Sequence, residues 1–552
     1  MENATQPGNG TLRQVDAVVI GAGFAGLYTL HCLRDRLGLT TQVYEAGSDV
    51  GGTWYWNRYP GARCDSESVF YMFSDHLSKD ILQEWNWSER YAGQAEILRY
   101  LQFVADKMDL RRGIQFNTRV DSAMFDEAAN RWLVTTNDGQ TVSARYLITG
   151  VGCLSKPFTP EFKGMETFAG QSCHTAEWPD EGIDFTGKRV AVVGTGATAV
   201  QIVPEIAGEV EQLYVLQRTP SHDVPGRNHP LDDAYIAEIK GRYGEVWDHT
   251  RDSFGGFPFS PGEGSATDAT PDQRAQIYNA AWQKGGLGGF AFGTFGDLMV
   301  NKEANDTIVD FICEKIHETV EDPEVAEALS PRYPFFTKRP PLEHGYYETF
   351  NQDNVTLVDV KTAPVKEITP TSIITENAEY EVDIIIFATG FDAMTGALFA
   401  MDIQGRDGIK LQQKWAEGPR TYLGLATEGF PNMFMVSGPQ SPSVLTNMPV
   451  SIEQHVEWIS QCIQAMDEKG VDCIEPLPAA EEQWLAHHAE VSDATLIPQT
   501  DSWWVGANVP GKKRLLYPYP GGLDNYRKVC DQVAENGYDG FAQTTHEVSA
   551  VS

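Results

Sequence analysis

The chain contains no C-x-x-C pair, no apolar run approaching the roughly 18 residues of a membrane span, and far fewer basic than acidic residues. Its eight cysteines, Cys32, Cys64, Cys153, Cys173, Cys313, Cys462, Cys473 and Cys530, are scattered. That spacing removes a zinc ribbon and a redox dithiol of the common kind, while leaving a buried thiol open. The stretch Met1–Gln14 is polar and has no apolar signal-peptide core, so a cytoplasmic protein without a membrane anchor is expected. With 42 Lys and Arg against 77 Asp and Glu, the net charge is −35. Such a charge repels polyanions at long range and argues against nucleic acid or an anionic membrane as a partner. Any anionic cofactor must be met by locally placed Arg and Lys, which makes basic residues beside motifs informative. At 552 residues the chain exceeds what one core organises, and two to four domains are expected. Its 41% hydrophobic and 22% charged content is that of an ordinary globular protein.

What is present is organised around two glycine-rich turns. Ala17–Ile20 is a β-branched run ending in Gly21-Ala22-Gly23-Phe24-Ala25-Gly26, followed by helical spacing over Leu27–Leu37 and a strand Gln42–Tyr44 that stops at Glu45. Alone, G-x-G-x-x-G is weak evidence. Here it follows a strand, opens a helix and has an acid further on, the context of a dinucleotide-binding unit. The first glycine allows the turn, the second lets a pyrophosphate approach the backbone, and the helix N-terminus supplies N–H donors. The arrangement returns at Arg189–Val193, with Gly194-Thr195-Gly196-Ala197-Thr198-Ala199, a helix to about Ala207 and a strand ending at Arg218. Glu45 and Arg218 stand the same number of positions after the first glycine of their units. A carboxylate at that place accepts from a ribose 2′-hydroxyl, and a guanidinium suits a 2′-phosphate. The first unit therefore suits FAD or NAD and the second NADP, with Ala199 compatible in place of a third glycine.

Residues 222–333 change to longer helical segments with polar linkers, as in an insertion. Further strand-like runs end in small residues: Tyr146–Ile148 before Thr149-Gly150, Glu381–Ala388 before Thr389-Gly390, and Met433–Val436 before Ser437-Gly438. Such endings accommodate a crossover or a cofactor edge. The expected fold is α/β, with two Rossmann-like dinucleotide-binding domains, the FAD domain discontinuous and a helical insertion in the NADP domain. Its parts are residues 1–150 (FAD, first part), 151–221 (NADP, first part), 222–333 (insertion), 334–388 (NADP, second part) and 389–552 (FAD, second part, with a substrate loop). Two nucleotide sites imply a hydride passing from NADPH to a flavin. Disulfide reductases share that plan but need the cysteine pair that is missing here, which leaves oxygen or a soluble acceptor.

One further stretch, Phe168–Asp180, reads F-A-G-Q-S-C-H-T-A-E-W-P-D. On composition alone His174 is a linker or core histidine. Yet Phe168, Gly170, His174, Trp178 and Pro179 fit F-x-G-x-x-x-H-x-x-x-W-P, and the chain resembles the Baeyer-Villiger monooxygenases over nearly its whole length. Gly51–Asp65, G-G-T-W-Y-W-N-R-Y-P-G-A-R-C-D, looks like that family's second signature, and Gly438–Trp458 is similar to the substrate loop of its phenylacetone monooxygenase branch. The resemblance implies an FAD-, NADPH- and O2-dependent conversion of ketones to esters or lactones by way of a flavin C4a-peroxide, with sulfides also oxidised.

Set on this sequence, the resemblance makes Arg339 the catalytic arginine and Asp65 the carboxylate that positions it. It adds Thr219 and Lys338 to Arg218 as 2′-phosphate contacts and lets Trp503 reach the nicotinamide nucleotide. Trp54 and Tyr71 become an aromatic wall that keeps water from the flavin. Cys153, Val444, Leu445 and Met448 fall in the substrate pocket. There Cys153, Val444 and Pro340 depart from the phenylacetone branch, and Val444 is expected to favour slender, linear ketones. The fingerprint stretch is expected to act as the hinge that attaches the NADP unit to the FAD unit. A heteroatom-oxidising flavin monooxygenase, a flavin-binding redox sensor and an NADPH oxidase releasing only hydrogen peroxide remain as alternatives. The partners expected are a small ketone and O2, with a monomer or small homo-oligomer as the assembly.

Overall fold

The computed structural model describes residues 12–259, 262–290 and 292–545. Two sheets dominate it, each built around one of the glycine turns: the first is mixed, with Arg131–Thr136 antiparallel to both of its neighbours, and the second is parallel throughout. The first has the spatial order Asp402–Gln404, Val120–Asp126, Arg131–Thr136, Thr141–Thr149, Arg13–Ile20, Thr41–Tyr44, Ile114–Gln115, and Met433–Met435 also pairs with Thr141–Thr149. Residues from 402 onwards thus return to the sheet that the N-terminus begins. The second sheet runs Val355–Asp359, Gln212–Gln217, Arg189–Val193, Ile384–Phe387, Gln171–His174, all parallel.

The β-branched runs are continuous because these central strands are covered on both faces. In Arg189–Val193, Val190 and Val192 face one core while Ala191 and Val193 face another, and Ile384–Phe387 divides in the same alternation. Each such Val or Ile, once buried, contributes about 1.5–3 kcal/mol. The helix after the first turn spans Phe24–Leu30, earlier than its sequence pattern suggests, and continues as a π-type turn over His31–Arg36.

Three features differ from the sequence expectation. The run Glu381–Ala388 is not one strand. Glu379–Glu381 closes an antiparallel three-stranded meander with Val365–Ile368 and Ser372–Thr375, and only Ile384–Phe387 enters the parallel sheet. The break falls at Asp383, whose carboxylate accepts from the Arg189 backbone N–H and from its guanidinium. Residues 222–333 are mostly helical, but they are not one body. Asp233–Gly241 and Tyr243–Arg251 place Ile236, Ile239 and Trp247 in the core of the first unit, whereas Pro271–Lys284 and Lys302–Thr319 pack into that of the second. The segment also supplies a strand, Val224–Pro225, paired with Leu342–Glu343.

The third difference concerns the expected hinge. Gln171–His174 is the edge strand of the second sheet, not a linker. The crossings between units lie at residues 150–158 and 388–394, and they run side by side. Phe158 N–H donates to the Gly390 carbonyl (3.0 Å), Asp392 N–H to that of Lys156 (2.9 Å) and Met394 N–H to that of Cys153 (2.7 Å). No described helix is long and apolar enough to cross a membrane.

Candidate functional site

Both turns start from a glycine in the left-handed region, Gly21 at φ +99 and Gly194 at φ +117. A Cβ at Gly21 would lie 2.6 Å from the Gly150 carbonyl oxygen, and one at Gly194 would lie 2.5 Å from that of Ala388. Each turn is therefore pressed against the start of an inter-unit crossing. Gly26 has no room at all, since its Cβ would stand 1.8 Å from the Gly21 oxygen; at the matched position the second turn accepts the methyl of Ala199, which is fully buried. Gly23 approaches Gly52, while a Cβ at Gly196 would meet nothing within 4 Å. Neither helix that follows has a side-chain N-cap. Their first N–H groups are left for another acceptor, as an anion at a helix N-terminus requires. That cradle fits the phosphates of FAD at the first turn and of NADP at the second.

Glu45 is buried at the end of its strand and accepts backbone N–H groups from Ala22 and Gly47, both at 2.7 Å. Burial pushes its carboxyl above the usual range, and those two bonds oppose the shift. Arg218 lies just past the matched strand and, among the described residues, has no ion-pair partner. Lys338 is brought to it from 120 residues away in sequence. The Lys338 ammonium sits 4.8 Å over the Tyr333 ring, and burial together with Arg218 lowers its pKa to about 8, with Lys361 adding to the repulsion. Asp501 opposes that shift but does not cancel it, and a gathering of three cations in which positive charge prevails fits a phosphate. Thr219 adds its carbonyl, which accepts from Thr195 Oγ1 at 2.9 Å. Lys361 escaped the sequence reading; its only signal is a basic residue just past Val355–Asp359, the strand that flanks Gln212–Gln217.

Arg339 follows Lys338 directly. Its Nε donates to Asp65 Oδ2 at 2.8 Å and its Nη2 stands 2.8 Å from Asp65 Oδ1 as an ion pair, a two-pronged contact with side chains 17% and 28% exposed. The guanidinium is held flat and cannot rotate away. Asp65 is fixed in turn because Cys64 N–H donates to the Ala92 carbonyl and Ser68 N–H to that of Arg90. Behind the pair, Trp54 Nε1–H donates to the Tyr71 hydroxyl at 3.3 Å and the rings meet edge to face, with Phe24 against Tyr71 in the same way. Burial drives the Tyr71 hydroxyl well above its ordinary pKa, so it stays protonated.

Cys153, Val444 and Met448 come together in one apolar group, which also holds Met394, Tyr517 and Trp503. Burial raises the Cys153 thiol, which stays protonated and serves as a wall. Leu445 is the exception. It packs into the core of the second unit and lines a separate small cleft with Phe254, Phe292 and Phe336. Val444, next to it in the short 3-10 turn Ser443–Leu445, touches both that core and the Cys153 group, whereas Leu445 reaches only the former. Trp504 is core, fully buried, whereas its neighbour Trp503 touches the Cys153 group.

The fingerprint residues lie beside the crossings. Gly170 is needed because a Cβ there would stand 2.3 Å from the Asp383 oxygen, and Phe168 packs under the second sheet. His174 is buried, its Nδ1 accepts from the Ala176 N–H at 3.1 Å, and its ring meets Phe391 edge to face. Burial lowers its pKa, so the imidazole is neutral. Trp178 packs on Phe185, and Pro179 leads to Asp180, which pairs with Arg58 of the second signature.

Two dinucleotide cradles with a fixed guanidinium beside the aromatic wall define an NADPH-dependent flavoprotein oxidoreductase. The sequence pattern described as flavin-binding monooxygenase-like matches residues 14–232. A Baeyer-Villiger monooxygenase of Pseudooceanicola batsensis is 47% identical over 95% of each chain. An acetone monooxygenase (methyl acetate-forming) of Gordonia sp. is 44% identical over 96% of this chain and 99% of its own. The crystal structure of an OTEMO complex with FAD and NADP superposes with a TM-score of 0.92 at 42% identity, covering 96% and 99% of the two chains. The chain belongs to the Baeyer-Villiger monooxygenases, flavoenzymes that use FAD, NADPH and O2 to turn ketones into esters or lactones.

Proposed function

We propose that this protein oxygenates small ketones with a preference for slender, linear ones, aryl and cyclic ketones and sulfides being poorer substrates. The observation that carries the reading is the two-pronged Asp65–Arg339 pair, standing between the aromatic wall and the Arg218–Lys338 cations. The chemistry supplied by bound FAD and NADPH is hydride transfer and activation of dioxygen, so that ketone, O2, NADPH and a proton give ester, NADP+ and water.

The chain's own residues supply the rest. Gly21, Gly23, Gly26 and Glu45 hold FAD, while Gly194, Gly196, Ala199, Arg218, Thr219 and Lys338 hold NADP, with Trp503 against its nicotinamide end. Arg339 presents a fixed cation to the ketone oxygen as negative charge grows on it, and Asp65 keeps that cation in place. Trp54 and Tyr71 exclude water. Cys153, Val444 and Met448 line the pocket, and the branched Val444 narrows it. Of the fingerprint residues His174 meets Phe391 on one crossing, which supports a role in the relative placement of the two units. The FAD part comprises residues 1–150 and 389–552, the NADP part 151–221 and 334–388. The protein acts as a monomer or small homo-oligomer in the cytoplasm, a location supported by eight unpaired cysteines.

The test is a panel of linear, aryl and cyclic ketones and one thioether, with esters and sulfoxides quantified against NADPH and O2 consumed. Linear ketones are expected to give the highest kcat/KM. NADPH oxidation that yields only hydrogen peroxide with every ketone would overturn the proposal, and sulfoxide without ester would favour the heteroatom alternative.

A further inference from the structure

Ser221 Oγ lies 2.8 Å from the Thr195 carbonyl oxygen and 2.6 Å from Asp223 Oδ1. A hydroxyl has one hydrogen and a carbonyl has none. Both contacts are hydrogen bonds only if the Asp223 carboxyl brings a hydrogen of its own; otherwise two lone pairs face each other at one of them. The surroundings agree. Asp223 is 1% exposed, and among the described residues it has no ion-pair partner. The titratable groups around it are Glu343, on the strand paired with Val224–Pro225, Tyr346 and Tyr347 from the helix Tyr346–Thr349, and Tyr333. The Asp223 N–H donates to the Tyr347 hydroxyl at 3.3 Å. Burial pushes the Asp223 carboxyl well above the usual carboxylate range and Glu343 adds to this, against the opposing pull of hydrogen bonds with Ser221 and Tyr347.

The acceptor at the far end of this chain matters. Thr195 stands between Gly194 and Gly196, and its Oγ1 donates to the Thr219 carbonyl. Two bonds of opposite direction therefore clamp the second glycine turn to residues 219–223, which begin beside Arg218. On the other side, Val224 N–H donates to the Pro341 carbonyl at 2.9 Å, two residues after Arg339.

We propose that Asp223 is a positioning residue in its acid form: its carboxyl donates to Ser221 Oγ, which donates to the Thr195 carbonyl and sets the second glycine turn in register with Arg218 and the Arg339 segment. A neutral acid holds the turn without adding negative charge beside a bound phosphate. The proposal rests on the reading of this turn as the NADP site.

The test titrates FAD-loaded enzyme with NADP+ and records the infrared carbonyl stretch of protonated carboxyls. Asp223→Ala is expected to raise the Kd for NADP+ about fivefold, the size of one hydrogen bond. Asp223→Asn, whose amide donates as the acid does, is expected to rescue the affinity. It should also remove a carboxyl band that the wild type shows at neutral pH. If Asp223→Ala yields no FAD-loaded protein, Ser221→Ala must show the same rise in Kd. Absence of an Asp223-dependent carboxyl band, an Asp223→Asn variant as weak as Asp223→Ala, or an unchanged Kd in Ser221→Ala each overturns the proposal. Arg218→Ala separates the two levels: unchanged NADP+ affinity there refutes the site reading itself. Weakened affinity in Arg218→Ala, with none in the Asp223 and Ser221 variants, refutes only the role of Asp223.

Discussion

Replacing Arg339 by alanine is expected to remove oxygenation while sparing flavin reduction. The guanidinium is held by two 2.8 Å contacts to Asp65 and shares its segment with Lys338, whose partner cation is Arg218. Hydride transfer depends on the nucleotide being held, which Arg218 and Lys338 still do in the variant. Ester formation depends on a cation that is in place before charge develops. One preorganised donor of this kind is worth about 2.7–4 kcal/mol, or about 10²–10³ in kcat. A stability cost accompanies the change, because Asp65 loses its partner. Exposed pairs cost about 0–1 kcal/mol and fully buried ones about 3–5; side chains at 17% and 28% exposure put this one between those limits. Arg339→Lys keeps the charge but cannot form the fork, so it should recover only part of the loss. The assay has two arms: anaerobic stopped-flow mixing with NADPH, read at the flavin absorbance, and aerobic turnover with esters quantified. An Arg339→Ala enzyme that is reduced normally and still makes ester within about tenfold of wild type would show that the cation does no chemistry.

Four other outcomes are expected. Lys338 has a pKa lowered to about 8, so it loses its proton as pH rises through that value; NADPH affinity should hold below pH 8 and fall above it, and Lys338→Arg, charged throughout, should flatten that profile in binding titrations. Gly26→Ala places a carbon 1.8 Å from the Gly21 oxygen and should abolish FAD retention, whereas Ala199→Gly should keep NADP binding and cost about 1 kcal/mol in thermal melts. Val444→Ala opens the Cys153, Met394 and Tyr517 group and should raise kcat/KM for aryl relative to linear ketones, an unchanged ratio counting against the narrow pocket. His174 is neutral at physiological pH, so His174→Ala should leave the pH profile in place yet release more hydrogen peroxide per NADPH, measured as the peroxide-to-ester ratio.

The glycine turns were legible because sterics leave little choice. Gly21, Gly26 and Gly194 meet backbone oxygens where any side chain would collide, so the motif is a direct image of local geometry. The Asp65–Arg339 pair was legible only through resemblance, since 274 residues separate the partners and neither has a local pattern. The edge strand Gln171–His174 could not be read from periodicity: Gln171 and Ser172 are exposed, Cys173 is half-buried and only His174 is covered, so no alternation marks it. The position of Leu445 was not legible either: it packs into the core of the second unit, while its neighbour Val444 bridges that core and the Cys153 group. The Asp223–Ser221–Thr195 chain has no sequence signature, because its meaning comes from one hydroxyl placed within hydrogen-bond distance of two other oxygens.

The placement of the crossings gives these parts a common mechanical reason. Gly21 presses on Gly150 and Gly194 on Ala388, the first residues of two chain segments that pass between the two large sheets. Those segments then bond to each other at Phe158, Asp392 and Met394. His174 meets Phe391 on one of them, and Lys512, buried against the Tyr517 ring, pairs with Asp392 on the same stretch. Phosphate cradle, crossing, fingerprint and substrate wall are therefore links of one bonded path, from Thr195 at the nucleotide to Cys153 and Met394 at the pocket. Rotation of one unit against the other must bend that path at the paired crossings, since the sheets on either side are covered on both faces. Because Arg339 follows Lys338 directly, the cation proposed to act on the ketone is kept in register with the cations proposed to hold the nucleotide.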